Sequence, residues 1–164
     1  MALIGMLATI LIPQMKNFNK RQILASVSSE LVFEIQGTQT MAASGVQGNT
    51  VEVRSYRFAF VRQPTDGANY YRGYSLSAMD ENGFEITPTL KTQIFDCPVC
   101  IISTQASFNY EVPTGRVNNL IGNEFLFNVC HPEQGQYQIT LDVNGRVFKS
   151  NYITGSCNCQ RSCN

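Results

Sequence analysis

The chain has 164 residues, which fits one domain with a real hydrophobic core. Its 12 basic and 12 acidic residues cancel and form no charged block or tail, so the composition does not favour strong nonspecific nucleic-acid binding. The charged fraction of 15% is low for a cytosolic domain and fits an exported subunit.

The chain opens with an apolar run over residues 1–13 that contains no charged side chain. A helix that is apolar on every face has to lie in a membrane, in another protein or against copies of itself. The run is shorter than the roughly 20 residues of a membrane-spanning helix. It also lacks the basic start and the small-residue cleavage site of a secretory signal. We therefore expect this half-helix to protrude from the rest of the protein.

The helical pattern continues beyond Pro13 as an amphipathic half-helix that ends near Gly45. Its apolar stripe recurs at steps of three and four residues, at Leu24, Val27, Leu31, Ile35, Thr38 and Ala42. Polar positions fill much of the rest, at Lys20, Arg21, Ser28, Glu30 and Gln39. Proline removes a backbone donor, so we expect a kink or a locally loosened helix at Pro13.

The segment ALIGMLATILIPQMKNF resembles the second half of the N-terminal helix of type IV pilins and type II secretion pseudopilins. The resemblance rests on Gly5, on the run at 7–10 and on Ile-Pro-Gln at 12–14. The family's helix begins earlier, with a leader, a cleavage-site glycine, an N-methylated aromatic residue and a glutamate. None of these is present, and no acidic residue precedes Glu30. We expect about nine further residues upstream, which would complete a membrane span, with Met1 a start assigned too far downstream; a deliberate truncation is the alternative.

The resemblance implies that the protein assembles with other pilin or pseudopilin subunits through this helix, after residence in the membrane. Gly5 and Ala8 are small residues on one helix face that allow close helix approach, unless they are ordinary apolar-helix residues. Pro13 would let the rod bend where it leaves the membrane or the filament core. The implied location is the bacterial inner membrane with an exported β domain, and then a pilus or pseudopilus at the cell envelope or surface.

Beyond residue 45 the sequence shows strand patterns separated by turns. Strands are predicted over 50–54, 56–62, 71–77, 101–102, 124–129, 136–143 and 146–153, and the segment 84–95 is apolar in pieces and interrupted by Pro88. Turns are predicted over 64–67 and 80–83, and Asn144-Gly145 predicts a type I′ turn with two positive φ angles. The predicted fold is α+β: a helical segment 1–45, with 1–13 its membrane or filament-core part, packed on an antiparallel β-sheet domain over 46–164 with a cysteine-rich tail.

This order of elements resembles the minor pseudopilins of the GspH/FimT type. In those proteins a helix with a small and polar end precedes a hairpin-rich β domain, and a late strand–Gly–Arg hairpin closes the fold. The matching segments here are 31–43, 57–60, 71–74 and 139–146.

All six cysteines lie beyond the helix, at Cys97, Cys100, Cys130, Cys157, Cys159 and Cys163. In an exported domain an even number of cysteines predicts disulfides, although spacing does not fix their connectivity. A bridge from the 157–163 tail to one of the three earlier cysteines would hold the C-terminus in place, with a contribution of roughly 2–4 kcal/mol.

Two other cysteine sites are compatible with the spacing. The first is zinc at Cys97, Cys100, Cys157 and Cys159, with Cys163 as an alternative tail ligand and Cys130 or His131 to complete the tetrahedron. The second is a thioredoxin-like Cys97-x-x-Cys100 pair, which the strand pattern at 101–102 disfavours because that chemistry uses a helix N-terminus.

No catalytic constellation is present, so we expect no enzyme, no cofactor and no small-molecule substrate. We expect the only histidine, His131, to be a surface turn residue. We expect Asp80-Glu81-Asn82-Gly83 to form a plain turn rather than a calcium-binding loop.

The predicted function is a structural subunit, a minor pilin or pseudopilin of a type IV pilus or type II secretion pseudopilus. One alternative is a DNA-uptake pilin, with a basic patch of Arg146, Lys149 and Arg161 or of Arg54, Arg57 and Arg62. The other alternative is a membrane-anchored, cysteine-rich zinc-binding domain.

Overall fold

The structure is a computed structural model that describes residues 2–45, 52–155 and 157–159, with the backbone alone for residues 2–17 and Thr87. Its single helix in the described chain, α1, runs without a break over Ala2–Ser44 and passes through Pro13. Ten strands follow: β1 Ser55–Val61, β2 Tyr70–Tyr71, β3 Gly73–Met79, β4 Glu85–Ile94, β5 Cys100–Ser103, β6 Ser107–Glu111, β7 Val117–Asn118, β8 Glu124–His131, β9 Gly135–Asp142 and β10 Val147–Ile153. The predicted α+β class with one N-terminal helix on antiparallel sheet is confirmed.

The strands form two five-stranded antiparallel sheets. The first sheet has the order β4-β3-β1-β6-β7, and the second has the order β10-β9-β8-β5-β2. The predicted continuous strand over 71–77 is wrong, because Arg72 interrupts it. Tyr71 pairs with Ile101 in the second sheet, whereas Gly73 pairs with Val61 and Ile94 in the first.

Arg72 holds this crossing between the sheets through a buried ion pair. Its Nε and Nη2 donate to the two carboxylate oxygens of Asp66 at 2.7 and 2.8 Å. The side chains are 11% and 1% exposed, and the hydrogen bond to Asp66 raises the pKa of Arg72. The backbone of Arg72 is paired as well, since its amide donates to the Val61 carbonyl at 2.7 Å and its carbonyl accepts the Phe95 amide at 2.8 Å. The bidentate charged contact therefore adds to the backbone pairing where the chain changes sheets.

The core between the sheets is aromatic. Strand β1 alternates as predicted, and its buried residues include Phe58 and Phe60. The ring of Phe58 stacks on Tyr74 at 5.0 Å and on Phe108 at 5.3 Å. Phe108 belongs to β6, whose alternating Ser107–Glu111 pattern the sequence reasoning missed.

The predicted apolar stripe is the face of α1 that packs on the β strands. Leu24, Leu31, Ile35, Thr38 and Ala42 are fully buried, and Val27 is partly buried. Ser28, expected among the exposed polar positions, is also fully buried. Its hydroxyl donates to the Leu24 carbonyl at 2.7 Å, which satisfies a polar group that would otherwise be costly to bury. The helix contacts strands of both sheets.

The hairpin between β9 and β10 exists as predicted, but its turn is not type I′. Gly145 has a φ of 82°, and Asn144 is not among the positive-φ residues. The amide of Gly145 donates to the Asp142 carbonyl at 2.9 Å, and the Asp142 carboxylate accepts the amides of Asn144 and Arg146. A three-residue loop that ends in a left-handed glycine is, like the type I′ turn, compatible with the right-handed twist of the two strands.

This hairpin lies against the end of α1. The side-chain amide of Gln39 donates to the Asn144 carbonyl at 2.8 Å. A Cβ added at Gly145 would lie 2.6 Å from both Gln39 Nε2 and the Gly115 carbonyl oxygen. Glycine is therefore required where the loop, the helix and the neighbouring turn meet.

Candidate functional site

The candidate site is α1, because the helix is longer than the unit on which it packs. Its 43 residues span about 64 Å, whereas a compact unit the size of the β-strand region is roughly 35 Å across. Among the described side chains, which begin at Phe18, the first fully buried one is Leu24, and the first contact with the β domain is made by Lys20. The helix therefore extends well beyond its packed segment.

The predicted assembly residues Gly5, Ala8 and Pro13 lie in this extension. The backbone is helical at all three, and their side chains lie outside the described residues. Within the described chain, no helix has an apolar stretch long enough to cross a membrane.

The second notable surface is the face of α1 opposite the buried stripe. Phe33 is 71% exposed and lies about 160° around the helix from Leu31 and Ile35, and Phe18 is 64% exposed. The residues of this exposed face are all uncharged: Phe18, Gln22, Ser26, Phe33, Gln36 and Thr40. A solvated helix face normally carries charges, so an uncharged face with two exposed aromatic rings is typical of an interaction surface.

Polar contacts on both sides of the stripe hold α1 to the strands. On the first sheet, Lys91 of β4 donates to the Glu34 carboxylate at 2.6 Å, and this contact raises the pKa of Lys91. On the second sheet, Lys149 of β10 donates to the Ala25 carbonyl at 3.2 Å and to the Ser29 hydroxyl at 2.9 Å. Lys20 pairs with Glu133. The helix thus has a fixed orientation on the β strands.

Because of these contacts with α1, Lys149 is not a free surface cation of the first predicted basic patch. Its ammonium lies 4.2 Å from the centre of the Tyr137 ring, and burial lowers its pKa. Arg146 is exposed, and Arg161 lies outside the described residues. Lys149 therefore serves the packing of α1 rather than a surface cluster with Arg146.

The three arginines of the second predicted basic patch each contact a group of the β domain. Arg54 approaches the Glu52 carboxylate at 3.8 Å, and Arg57 donates to the Asn109 side chain at 3.4 Å. Arg62 donates to the Ala68 carbonyl at 3.1 Å. Each of the three guanidinium groups thus has its own local acceptor.

The five cysteines within the described residues are all disulfide-bonded. Cys130 bonds to Cys157 with Cα atoms 6.1 Å apart, and Cys100 bonds to Cys159 with Cα atoms 6.3 Å apart. Cys97 is disulfide-bonded as well, and Cys163 lies outside the described residues. The two bridges connect the tail to β5 and β8, where it covers the end of the second sheet.

The disulfides bear on the alternative cysteine sites. Cys100 and Cys159 of the alternative zinc set are bonded to each other, and Cys97 and Cys157 are bonded elsewhere, so their sulfurs are not thiolate ligands in this state. The described residues contain no group of three or more His, Cys, Asp or Glu side chains arranged to hold a metal. Cys100 begins strand β5 rather than a helix, which matches the pattern at 101–102.

The expectation that His131 is a surface turn residue is wrong. It ends β8 and is only 3% exposed. Its Nδ1 accepts the backbone amide of Glu133 at 3.2 Å, and burial lowers its pKa. Both observations favour the neutral imidazole, which stabilises the turn into β9.

The architecture is similar to that of a known pilus subunit. The chain matches the crystal structure of the type IV minor pilin FimU of Pseudomonas aeruginosa with a TM-score of 0.54 and 16% sequence identity. The match covers 85% of this chain and 99% of that one. No protein-family model and no curated protein matches the chain. The similarity shows that the chain has the fold of a type IV pilin.

Proposed function

We propose that this protein is a structural subunit, a minor pilin or pseudopilin, that assembles into a type IV pilus or a type II secretion pseudopilus through α1. The observation that carries the proposal is the extension of α1 beyond its packed segment, with a sequence over residues 2–13 that has no charge. The likeness of the fold to a type IV minor pilin supports the same role. The late β9–β10 hairpin fits the GspH/FimT-type branch.

The two halves of α1 have separate tasks in this proposal. Residues from Leu24 onward bury their apolar stripe within the subunit, so that stripe is not available to partners. The apolar half is in contact with lipid before assembly and with equivalent helices of other subunits afterwards. Both environments are apolar, so burial contributes little free energy to the transfer of the helix from lipid into the filament. Close packing between helices has to favour that transfer. Gly5 and Ala8 provide the small surfaces that close packing needs.

The exposed face of α1 supplies a second contact in the filament. Phe18 and Phe33 lie about 22 Å apart along the helix and flank Ser26. Aromatic residues without neighbouring charges are enriched at the centre of protein interfaces. A neighbouring subunit that covers this face would bury both rings while the domain stays packed on the opposite face.

The disulfides are consistent with an exported β domain. Such bonds form and persist in oxidising compartments such as the bacterial periplasm. The proposed path is therefore insertion of the apolar half into the inner membrane, oxidation of the exported part, and transfer of the helix into the filament.

The experiment compares two aspartate substitutions in cells that assemble the filament. Ile10→Asp places a charge in the apolar half, and Thr65→Asp places the same charge in an exposed turn of the β domain. We expect Ile10→Asp to lower the amount of subunit in the purified filament fraction by at least about tenfold, because a charge at that depth costs roughly 2.5–3.5 kcal/mol. Thr65→Asp should leave it unchanged. Equal recovery of both variants in filaments would refute assembly through the apolar half.

A further inference from the structure

Four cysteines converge at the end of the second sheet. Cys100 and Cys130 are register partners on β5 and β8, and both are fully buried. Directly opposed residues of an antiparallel pair have their side chains on the same face of the sheet. On the tail, the Cys159 amide donates to the Cys157 carbonyl at 3.0 Å, and this tight turn presents both tail sulfurs to the strand pair.

The backbone positions allow these four residues two different pairings. A disulfide needs Cα atoms about 4.4–6.8 Å apart. The observed bonds, Cys130–Cys157 and Cys100–Cys159, meet this condition at 6.1 and 6.3 Å. Opposed residues of an antiparallel pair lie about 4.5–5.5 Å apart, so Cys100 and Cys130 meet it too. Residues two apart lie at most about 7 Å apart, and the turn brings Cys157 and Cys159 closer than that.

We propose that Cys100, Cys130, Cys157 and Cys159 form a thiol–disulfide exchange site that accepts an external thiolate and interconverts the two pairings. The tail-locked pairing is the observed one. The tail-released pairing consists of a Cys100–Cys130 bond across the two strands and a Cys157–Cys159 bond within the tail. Both pairings contain two disulfides, so the interconversion needs no net oxidant or reductant.

The order of the steps follows from the burial of the sulfurs. Cys157 and Cys159 are half-buried, whereas Cys100 and Cys130 are inaccessible. An external thiolate therefore attacks the Cys157 sulfur, forms a mixed disulfide there and expels the Cys130 thiolate.

Two internal steps then complete the exchange. The Cys130 thiolate attacks the Cys100 sulfur on the neighbouring strand and expels the Cys159 thiolate. That thiolate attacks the Cys157 sulfur of the mixed disulfide and expels the external thiolate unchanged. Two bonds are broken, two are formed, and the attacking thiolate is regenerated.

The consequence is local release of the tail. In the tail-locked pairing the Cys157 and Cys159 sulfurs lie near the Gly135 and Pro98 carbonyls, at 3.7 and 3.6 Å. In the tail-released pairing no bond connects residues 157–159 to β5 or β8, so this end of the second sheet loses its cover. The Cys97 disulfide takes no part in the exchange.

Tryptic digestion distinguishes the two pairings, because the tail cysteines and the strand cysteines fall on different peptides. Cleavage yields peptide 92–116 with Cys97 and Cys100, peptide 117–146 with Cys130, and peptide 150–161 with Cys157 and Cys159. The oxidised protein is incubated with a mixture of reduced and oxidised glutathione, blocked with N-ethylmaleimide, denatured and digested near neutral pH. Exchange should release peptide 150–161 with an internal disulfide and no added maleimide, over minutes to hours. Without glutathione this peptide should remain linked to the other two.

Two outcomes of that digestion would overturn the proposal. One is that peptide 150–161 remains linked to the other peptides at every time. The other is that it is released only with blocked or glutathione-bound cysteines, which is simple reduction rather than exchange.

Two double variants test the site further. In Cys157→Ser/Cys159→Ser the proposal predicts a Cys100–Cys130 bond. After denaturation without reductant, which exposes both sulfurs, neither cysteine should react with N-ethylmaleimide; full labelling of both would contradict the proposal. The matched control, Cys97→Ser/Cys163→Ser, removes the same number of cysteines and leaves the four-cysteine cluster intact. It should release the internally bonded peptide 150–161 as the unsubstituted chain does, and loss of that release would also contradict the proposal.

Discussion

Replacing Gly145 with alanine should destabilise the protein by weakening the contact between the β9–β10 hairpin and the end of α1. Gly145 has a φ of 82°, a conformation that an alanine adopts at a cost of about 1–2 kcal/mol. The added methyl group would also lie 2.6 Å from the Gly115 carbonyl oxygen and from the Gln39 amide. Displacement of Gln39 would remove its hydrogen bond to Asn144, with a net loss of about 1 kcal/mol.

The matched control is Gly83→Ala. Gly83 has a φ of 77°, and a Cβ added there would meet nothing within 4 Å. It therefore carries the backbone cost without the steric cost. We expect a loss of about 1–2 kcal/mol for Gly83→Ala and about 3–4 kcal/mol for Gly145→Ala, because the second change adds the clash and the lost hydrogen bond.

Guanidinium unfolding with the disulfides intact measures the difference, with tyrosine fluorescence as the signal because the chain has no tryptophan. The melting temperature of Gly145→Ala should lie about 4–8 °C below that of Gly83→Ala. Equal losses in the two variants would show that the hairpin does not press against Gln39 and Gly115, and would refute the described packing at the end of α1.

Three further predictions concern the packing of α1, the buried histidine and the tail. Leu31→Ala should lower the free energy of unfolding by about 2–5 kcal/mol, whereas Phe33→Ala on the exposed face should change it by less than about 0.5 kcal/mol. Similar losses in the two variants would show that α1 does not pack on the strands through the face that contains Leu31. His131 is the only histidine and its pKa is lowered by burial, so its imidazole proton resonance should titrate below the ordinary value of about 6.5. At low pH the unfolded chain binds this proton more readily than the folded chain, so the free energy of unfolding should decrease as the pH is lowered through this range. A titration midpoint of the imidazole at or above the ordinary pKa would contradict the burial. Cys130→Ser/Cys157→Ser opens a loop with a sequence separation of 27 and should cost about 3–4 kcal/mol by guanidinium unfolding; an unchanged stability would mean that this bridge does not hold the tail.

Periodicity in the sequence was sufficient to predict the helix and most strands. The stripe through Leu31 and Ile35 repeats at helical spacing, and every member of it is buried or partly buried in the structure. Strand β1 alternates between buried and half-buried positions, so its existence and its inward face followed from pattern alone.

The remainder depended on contacts between residues far apart in the chain. The division into two sheets depends on long-range pairing, since Tyr71 pairs with Ile101 whereas Gly73 pairs with Ile94, and the sequence pattern does not show that the two residues join different sheets. His131 is followed by Pro132 and Glu133, a sequence typical of a surface turn, so only the packing of β8 shows that it is buried. The pairing of Cys100 with Cys159 depends on strand register, which spacing does not encode.

The most direct test of the proposed role is photocrosslinking from the apolar half of α1. A benzoylphenylalanine at position 7 would be activated in cells that assemble the filament, with the same probe at position 65 as the control, and the products would be identified by mass spectrometry. If the subunit assembles through α1, position 7 should crosslink to the apolar helices of other pilin-like subunits and position 65 should not. Crosslinks from position 7 to lipid alone, or to proteins without such a helix, would contradict assembly through α1.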